Sequence, residues 1–134
     1  MTATVSLSAL TQRFEASDID PATFGHEEHV RVAFDMLNAY GFADCAARYA
    51  NSIRTISIAA GAPEKFNMTI TLAFLSLIAE RLAGVPSTDC DAFIAQNPDL
   101  LLKSVLDGWY TEERLQSDVA RQVFLLPQKA SSPV

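Results

Sequence analysis

The sequence predicts an all-α fold: a single-domain bundle of six to seven helices around a central apolar helix at about 67–83. Three observations lead there. Apolar residues recur at spacings of three and four in segment after segment, the mark of a helix with one buried face. No segment sustains the apolar/polar alternation of a half-buried strand. Glycine and proline fall between the periodic segments rather than inside them. The chain has 134 residues, which fits one domain spanning 1–127 with a disordered tail at 128–134. A chain of this length buries roughly two-thirds of its unfolded surface, enough for one core without staples.

Taken in order, residues 1–5 read as loose. Leu7, Leu10 and Phe14 mark a short helix near 6–17, with Ser6 as its cap. Pro21 disfavours helix at Asp20 and ends that segment. The second helix follows Phe24, capped by Gly25 or Thr23, with Glu27 and Glu28 in its first turn complementing the dipole. Gly41 is expected to stop it after Tyr40. A third helix covers 43–60, with Ala46, Tyr49, Ala50, Ile53, Ile56 and Ala60 as its buried stripe, then Gly61 and Pro63. The fourth, 67–83, is apolar nearly all round and so belongs at the centre. Short helices follow at 87–94 and 99–106. Gly108-Trp109-Tyr110 forms a turn. Thr111 caps a last helix that carries Leu115, Val119 and Val123 on one face, up to Pro127.

Composition narrows the function classes. A net charge of −6 argues against nucleic acid and against an anionic membrane surface, both of which require a basic face. The N-terminal stretch lacks a basic region and reads as no signal peptide. The longest apolar run, 68–79, is too short for a membrane span and is interrupted by Thr69, Thr71 and Ser76. Cys45 and Cys90 are too few for a disulfide framework, so a reduced, cytoplasmic setting is expected.

The sharpest functional signal lies in 24–40. Both histidines of the chain, His26 and His29, sit there three residues apart, on one side of a helix. At ~100° per residue His26 shares an arc with Val30, Ala33, Phe34 and Leu37. His29 stands at the edge of that arc, and Glu27, Glu28, Arg31 and Asp35 face water. Short connections make helices two and four run the same way. Their starts then meet at one pole, where Glu64, Lys65 and Asn67 also lie. The expected result is a pocket mouth lined by His26, His29 and Asn67, suited to an anion by two positive helix ends.

Three readings of the histidines stand side by side. They are structural caps; or one is an acid/base group on a small substrate; or both are ligands of one divalent transition metal, with Glu64 as the third. HEEH lacks the spacing of the HExxH zinc motif. Asn67 orients or polarises the substrate, Tyr110 assists through its hydroxyl, and Thr71 and Lys65 line the same pocket as substrate-binding residues.

The blocks F-x-H-x-x-H-V-R-V-A (Phe24 to Ala33), E-K-F-N-x-T-I-T (Glu64 to Thr71) and a W-Y-T…A-R…F…P tail (Trp109 to Pro127) resemble a family of small, all-helical, mostly uncharacterised bacterial proteins. The resemblance spans about 20–127. It implies a Tyr–His pair where this chain has Phe66-Asn67, so that three histidines would form a metal or catalytic site. Asn67 departs from that pattern. The resulting expectation is a small cytoplasmic helical enzyme acting on a small anionic or carbonyl-bearing metabolite. The rival is a non-catalytic ligand-binding or protein-interaction module, a homodimer in one version.

Overall fold

The computed structural model describes residues 7–127. The expected loose start, the Ser6 cap and the tail at 128–134 lie outside the described residues. Within them the chain is all-helical, a bundle of seven α-helices in one domain. α1 is Ala9–Glu15, α2 His26–Ala39, α3 Phe42–Ala59, α4 Met68–Gly84, α5 Cys90–Gln96, α6 Glu112–Leu115 and α7 Asp118–Gln122. Single 3₁₀ turns at Pro63–Lys65 and Pro98–Leu101 precede α4 and follow α5.

α1 is capped by Ser8, whose hydroxyl accepts the Thr11 N–H. Asp35 of α2 then clamps it, accepting the Ser8 N–H at 2.9 Å and the Thr11 hydroxyl at 2.8 Å. Asp35 is therefore a tether between helices and not part of a solvated face. The rest of that face is as the sequence suggests: Arg31 donates to Glu27 at 3.1 Å and, across to α5, to Asp91 at 2.8 Å.

Gly25 starts α2, and Glu28 reaches back to accept its N–H at 2.7 Å. Val30, Ala33, Phe34 and Met36 are buried as the periodicity requires. Val32, off that arc, is also fully buried, because α2 touches α1, α3, α4 and α5 at once. Gly41 does not stop α2 in a left-handed turn. Its extended backbone instead caps α3, which begins at once with Phe42. α3 ends with Gly61 at φ +74°; the Gly61 N–H bonds Ile58 and the Ala62 N–H bonds Ser57. This is a Schellman closure, and a side chain at Gly61 would be strained. Ala60, expected in the buried stripe, is exposed, while Cys45 and Ser52 are buried there.

α4 touches α2, α3 and α7, with Phe74, Leu75, Leu77 and Ile78 in the main core beside Phe14, Val30, Met36, Tyr49 and Phe93. Two expectations for the C-terminal third fail. The helix expected at 99–106 is one 3₁₀ turn followed by irregular turns. The last helix is broken in two, because Ser117 accepts the Ala120 N–H and starts a new one. The break rotates Ala120 inward, leaving Val119 and Val123 roughly half exposed at 56% and 48%. Leu106, Tyr110 and Leu115 form a small second core against Ile70 and Ala73 of α4. No helix among the described residues is long and apolar enough to cross a membrane.

Candidate functional site

The starts of α2 and α4 meet at one pole, as the short connections imply. A cavity of about 240 Å³ opens there, walled by His26, His29, Tyr49, Lys65, Asn67 and Thr71, with Lys103 at its rim. Two helix N-termini and two lysines give this cavity a positive character inside an acidic protein.

The two imidazoles are held differently. His26 sits at the first position of α2, its ring 5.0 Å from that of Phe74. Its Nε2 lies 2.8 Å from the Leu100 carbonyl oxygen. A carbonyl only accepts, so Nε2 carries the proton and Nδ1 of the neutral ring is left with its lone pair. His29 packs on Phe24 with ring centroids 4.6 Å apart. Burial first, and the nearby His26 second, push its pKa down to about 4, with Glu28 offsetting only part of the shift. His29 is thus neutral at physiological pH. Among the described residues no group hydrogen-bonds its ring, and the only fully buried side-chain polar atom without a partner is Arg114 Nε. His29 thus lines the cavity with ring nitrogens that have no protein partner among the described residues.

Tyr49 is the residue that sequence reasoning missed. It reads as one more apolar position in the stripe of α3, and it is 1% exposed. Its ring packs on Phe14, yet it also walls the cavity. No group among the described residues bonds its hydroxyl, which is not a fully buried orphan either. Tyr49 thus carries an unpartnered hydroxyl and lines the same space as the histidines. Burial raises the Tyr49 pKa, so the hydroxyl stays a donor. A signal existed in the sequence: a tyrosine on an otherwise apolar stripe must find a partner for its O–H.

Asn67 and Thr71 reach the cavity wall, but their polar atoms are committed. The Asn67 Oδ1 caps α4 by accepting the Ile70 N–H at 2.9 Å, and its Nδ2 donates to the Leu115 carbonyl at 2.6 Å. The Thr71 hydroxyl donates to the Asn67 carbonyl at 2.7 Å. Asn67 is a joint between α4 and α6, both ends of its amide already bonded to the protein. Tyr110 stands elsewhere: it is 3% exposed, in the second core, and its hydroxyl donates to the Leu125 carbonyl at 2.8 Å. Trp109 beside it is 44% exposed.

Among the described residues no three of His, Cys, Asp and Glu come together as a metal-ligand group. Glu64 does not wall the cavity, so the third ligand that the metal reading needs is missing from the histidine pair. Cys45 is fully buried in the core, and burial pushes its thiol up to about 12. Cys90, half-buried, is pushed up to about 11 by the same cause. Neither is a thiolate at neutral pH.

A second, larger depression of about 670 Å³ adjoins this cavity, and His29, Ile53 and Lys65 wall both. No protein-family model, no curated protein and no solved structure matches this chain. The likeness in the histidine, Asn67 and Trp109 blocks therefore rests on those residues alone, and the chemistry has to be argued from the cavity.

Proposed function

We propose that this chain is a small cytoplasmic helical enzyme that binds a small anionic or carbonyl-bearing metabolite in the histidine cavity and moves a proton on it. The observation that supports this reading is the convergence of three uncommitted polar groups on one cavity, with the exposed Lys65 at its wall. These are the His26 Nδ1, the His29 ring and the Tyr49 hydroxyl. Polar groups at a buried wall are normally paired within the protein. Leaving several unpaired together favours a site whose partner arrives from outside.

The roles divide by environment. Lys65 and Lys103 attract and hold the anionic group. His26, whose tautomer is fixed by Leu100, presents Nδ1 as the base. His29, too weakly basic to be protonated at neutral pH, donates through its N–H to a substrate oxygen, as does Tyr49. Asn67 and Thr71 position the start of α4 and do not touch the substrate. The test is deuterium incorporation from heavy water into small 2-oxo acids, followed by proton NMR. Enzyme-dependent exchange that is lost in His26→Ala and reduced in His29→Ala is expected. Neither exchange nor any shift of the imidazole resonances with a panel of small 2-oxo and simple carboxylic acids would overturn the reading.

The rival, an interaction module that associates with a second copy, has one observation in its favour. Phe124 and Leu126 are 42% and 71% exposed, beside the exposed Trp109 and Val123. Sedimentation equilibrium decides it: a dimer dissociated by Leu126→Lys supports the rival, and a monomer at all concentrations removes it.

A further inference from the structure

The cavity and the adjoining depression share one wall, His29, Ile53 and Lys65. Both linings are largely apolar, and they differ in the polar groups they add. The cavity brings His26, Tyr49 and Lys103 to a wall of Phe66, Ile70, Phe74 and Val105. The depression brings Asp20 and Ser57 to a wall of Phe14, Pro21, Phe24 and Ile56. Donors gathered in one space, beside a second that adds an acid, match a ligand with an anionic head in the first and an apolar body in the second.

We propose that the ligand is an amphipathic monocarboxylic acid, with its carboxylate in the histidine cavity beside Lys65 and its hydrocarbon chain in the adjoining apolar trough. The proposal rests on the reading of the cavity as a ligand site and names the class of ligand. Four observations carry it. Lys65 stands where the two spaces meet, so one ammonium serves a head group at the junction. The Tyr49 hydroxyl is unpartnered, on a residue only 1% exposed that lines the cavity, and a carboxylate oxygen there satisfies it. His29, neutral and stacked on Phe24, offers the carboxylate an N–H on one side and an apolar ring face to the chain on the other. Asp20 lines the trough away from the cavity and repels a second carboxylate there, which selects monoacids over diacids.

The test is a titration of the intact chain with straight-chain carboxylic acids of two to ten carbons, read by the imidazole and Tyr49 resonances in NMR. The corresponding primary alcohols are run alongside. Affinity is expected to climb by about fourfold for each added methylene until the trough is filled. The alcohols are expected to bind at least roughly tenfold more weakly than the acids of equal length. Ala60→Glu, at an exposed position on the trough, is expected to flatten the dependence on chain length. Acids that shift the histidines with one affinity at every length would overturn the amphipathic ligand and leave the cavity reading standing. Alcohols that bind as well as acids would overturn the head-group assignment. Acids of every length leaving both imidazoles unmoved would remove the proposal together with the reading beneath it.

Discussion

Two sides of the start of α4 hold similar polar residues in opposite states. On the side facing the C-terminal segment, Thr69, Asn67 and Tyr110 all have protein partners. Thr69 donates to the Val123 carbonyl at 2.6 Å and accepts the Leu125 N–H at 3.0 Å. Asn67 holds Leu115 and Tyr110 holds Leu125. Asn67 and Thr69 lash an irregular C-terminal segment, with little regular helix of its own, onto the central helix, and Tyr110 ties that segment to itself. On the histidine side, Tyr49, His29 and the Nδ1 of His26 face a cavity with no protein partner among the described residues. The same kinds of group are bonded within the protein in one place and left without a protein partner in the other. Residue type alone does not separate the two; the presence or absence of a partner does.

The contrast has graded consequences. The largest is at Asn67. Asn67→Ala removes the cap of α4 and leaves the buried Leu115 carbonyl unpaired, so a loss of about 3 kcal/mol is expected in urea unfolding. A loss below about 1 kcal/mol would return Asn67 to the list of free site residues. Comparable in size is the pH dependence set by His29. Its pKa is about 4 when folded against 6.5 unfolded. The stability this contributes is complete above pH 6.5 and is lost as pH falls through about 4, because the unfolded chain takes the proton first. The full loss is roughly 3 kcal/mol. His29→Gln should flatten the stability profile between those values, and an unchanged profile would place the ring in solvent.

Smaller effects sharpen the comparison. Tyr110→Phe removes one hydroxyl that has a carbonyl partner and should destabilise by about 1 kcal/mol while leaving carboxylate binding as it was. Tyr49→Phe removes a hydroxyl that has none. Its unfolding free energy should stay within about 0.5 kcal/mol of the parent, while affinity for a carboxylate falls. If Tyr49→Phe proves as destabilising as Tyr110→Phe, the two sides are alike and the distinction collapses.

Much of the framework was legible in the sequence because strong local signals agree there. The 3.6-residue periodicity of α2 and α4 and the breakers at Pro21, Gly61 and Pro63 place α2, α3 and α4 within a residue or two. The short connections then bring the starts of α2 and α4 together. Legibility ended where tertiary bonding decides. Gly41 could close one helix or open the next, and its extended backbone selects the second. Thr111 and Ser117 are both good caps six residues apart, and the second one breaks the helix. At the site, sequence order could bring Asn67 to the cavity but could not show that Leu115, 48 residues away, takes its amide. Nor could it show that Tyr49 would go without a partner, since an apolar stripe looks the same whether or not its hydroxyl is satisfied. Tyr110 misled for the converse reason: an aromatic at a helix start gives no sign of which side it will face.

The most direct test is a pH titration of the two imidazoles by nitrogen-15 NMR. The expected result is two unlike rings. His29 should remain neutral down to near pH 4, and His26 in its neutral form should hold a single tautomer protonated at Nε2. Two rings titrating together near 6.5, both with exchanging tautomers, would contradict a shared enclosed cavity and take the proposed site with it.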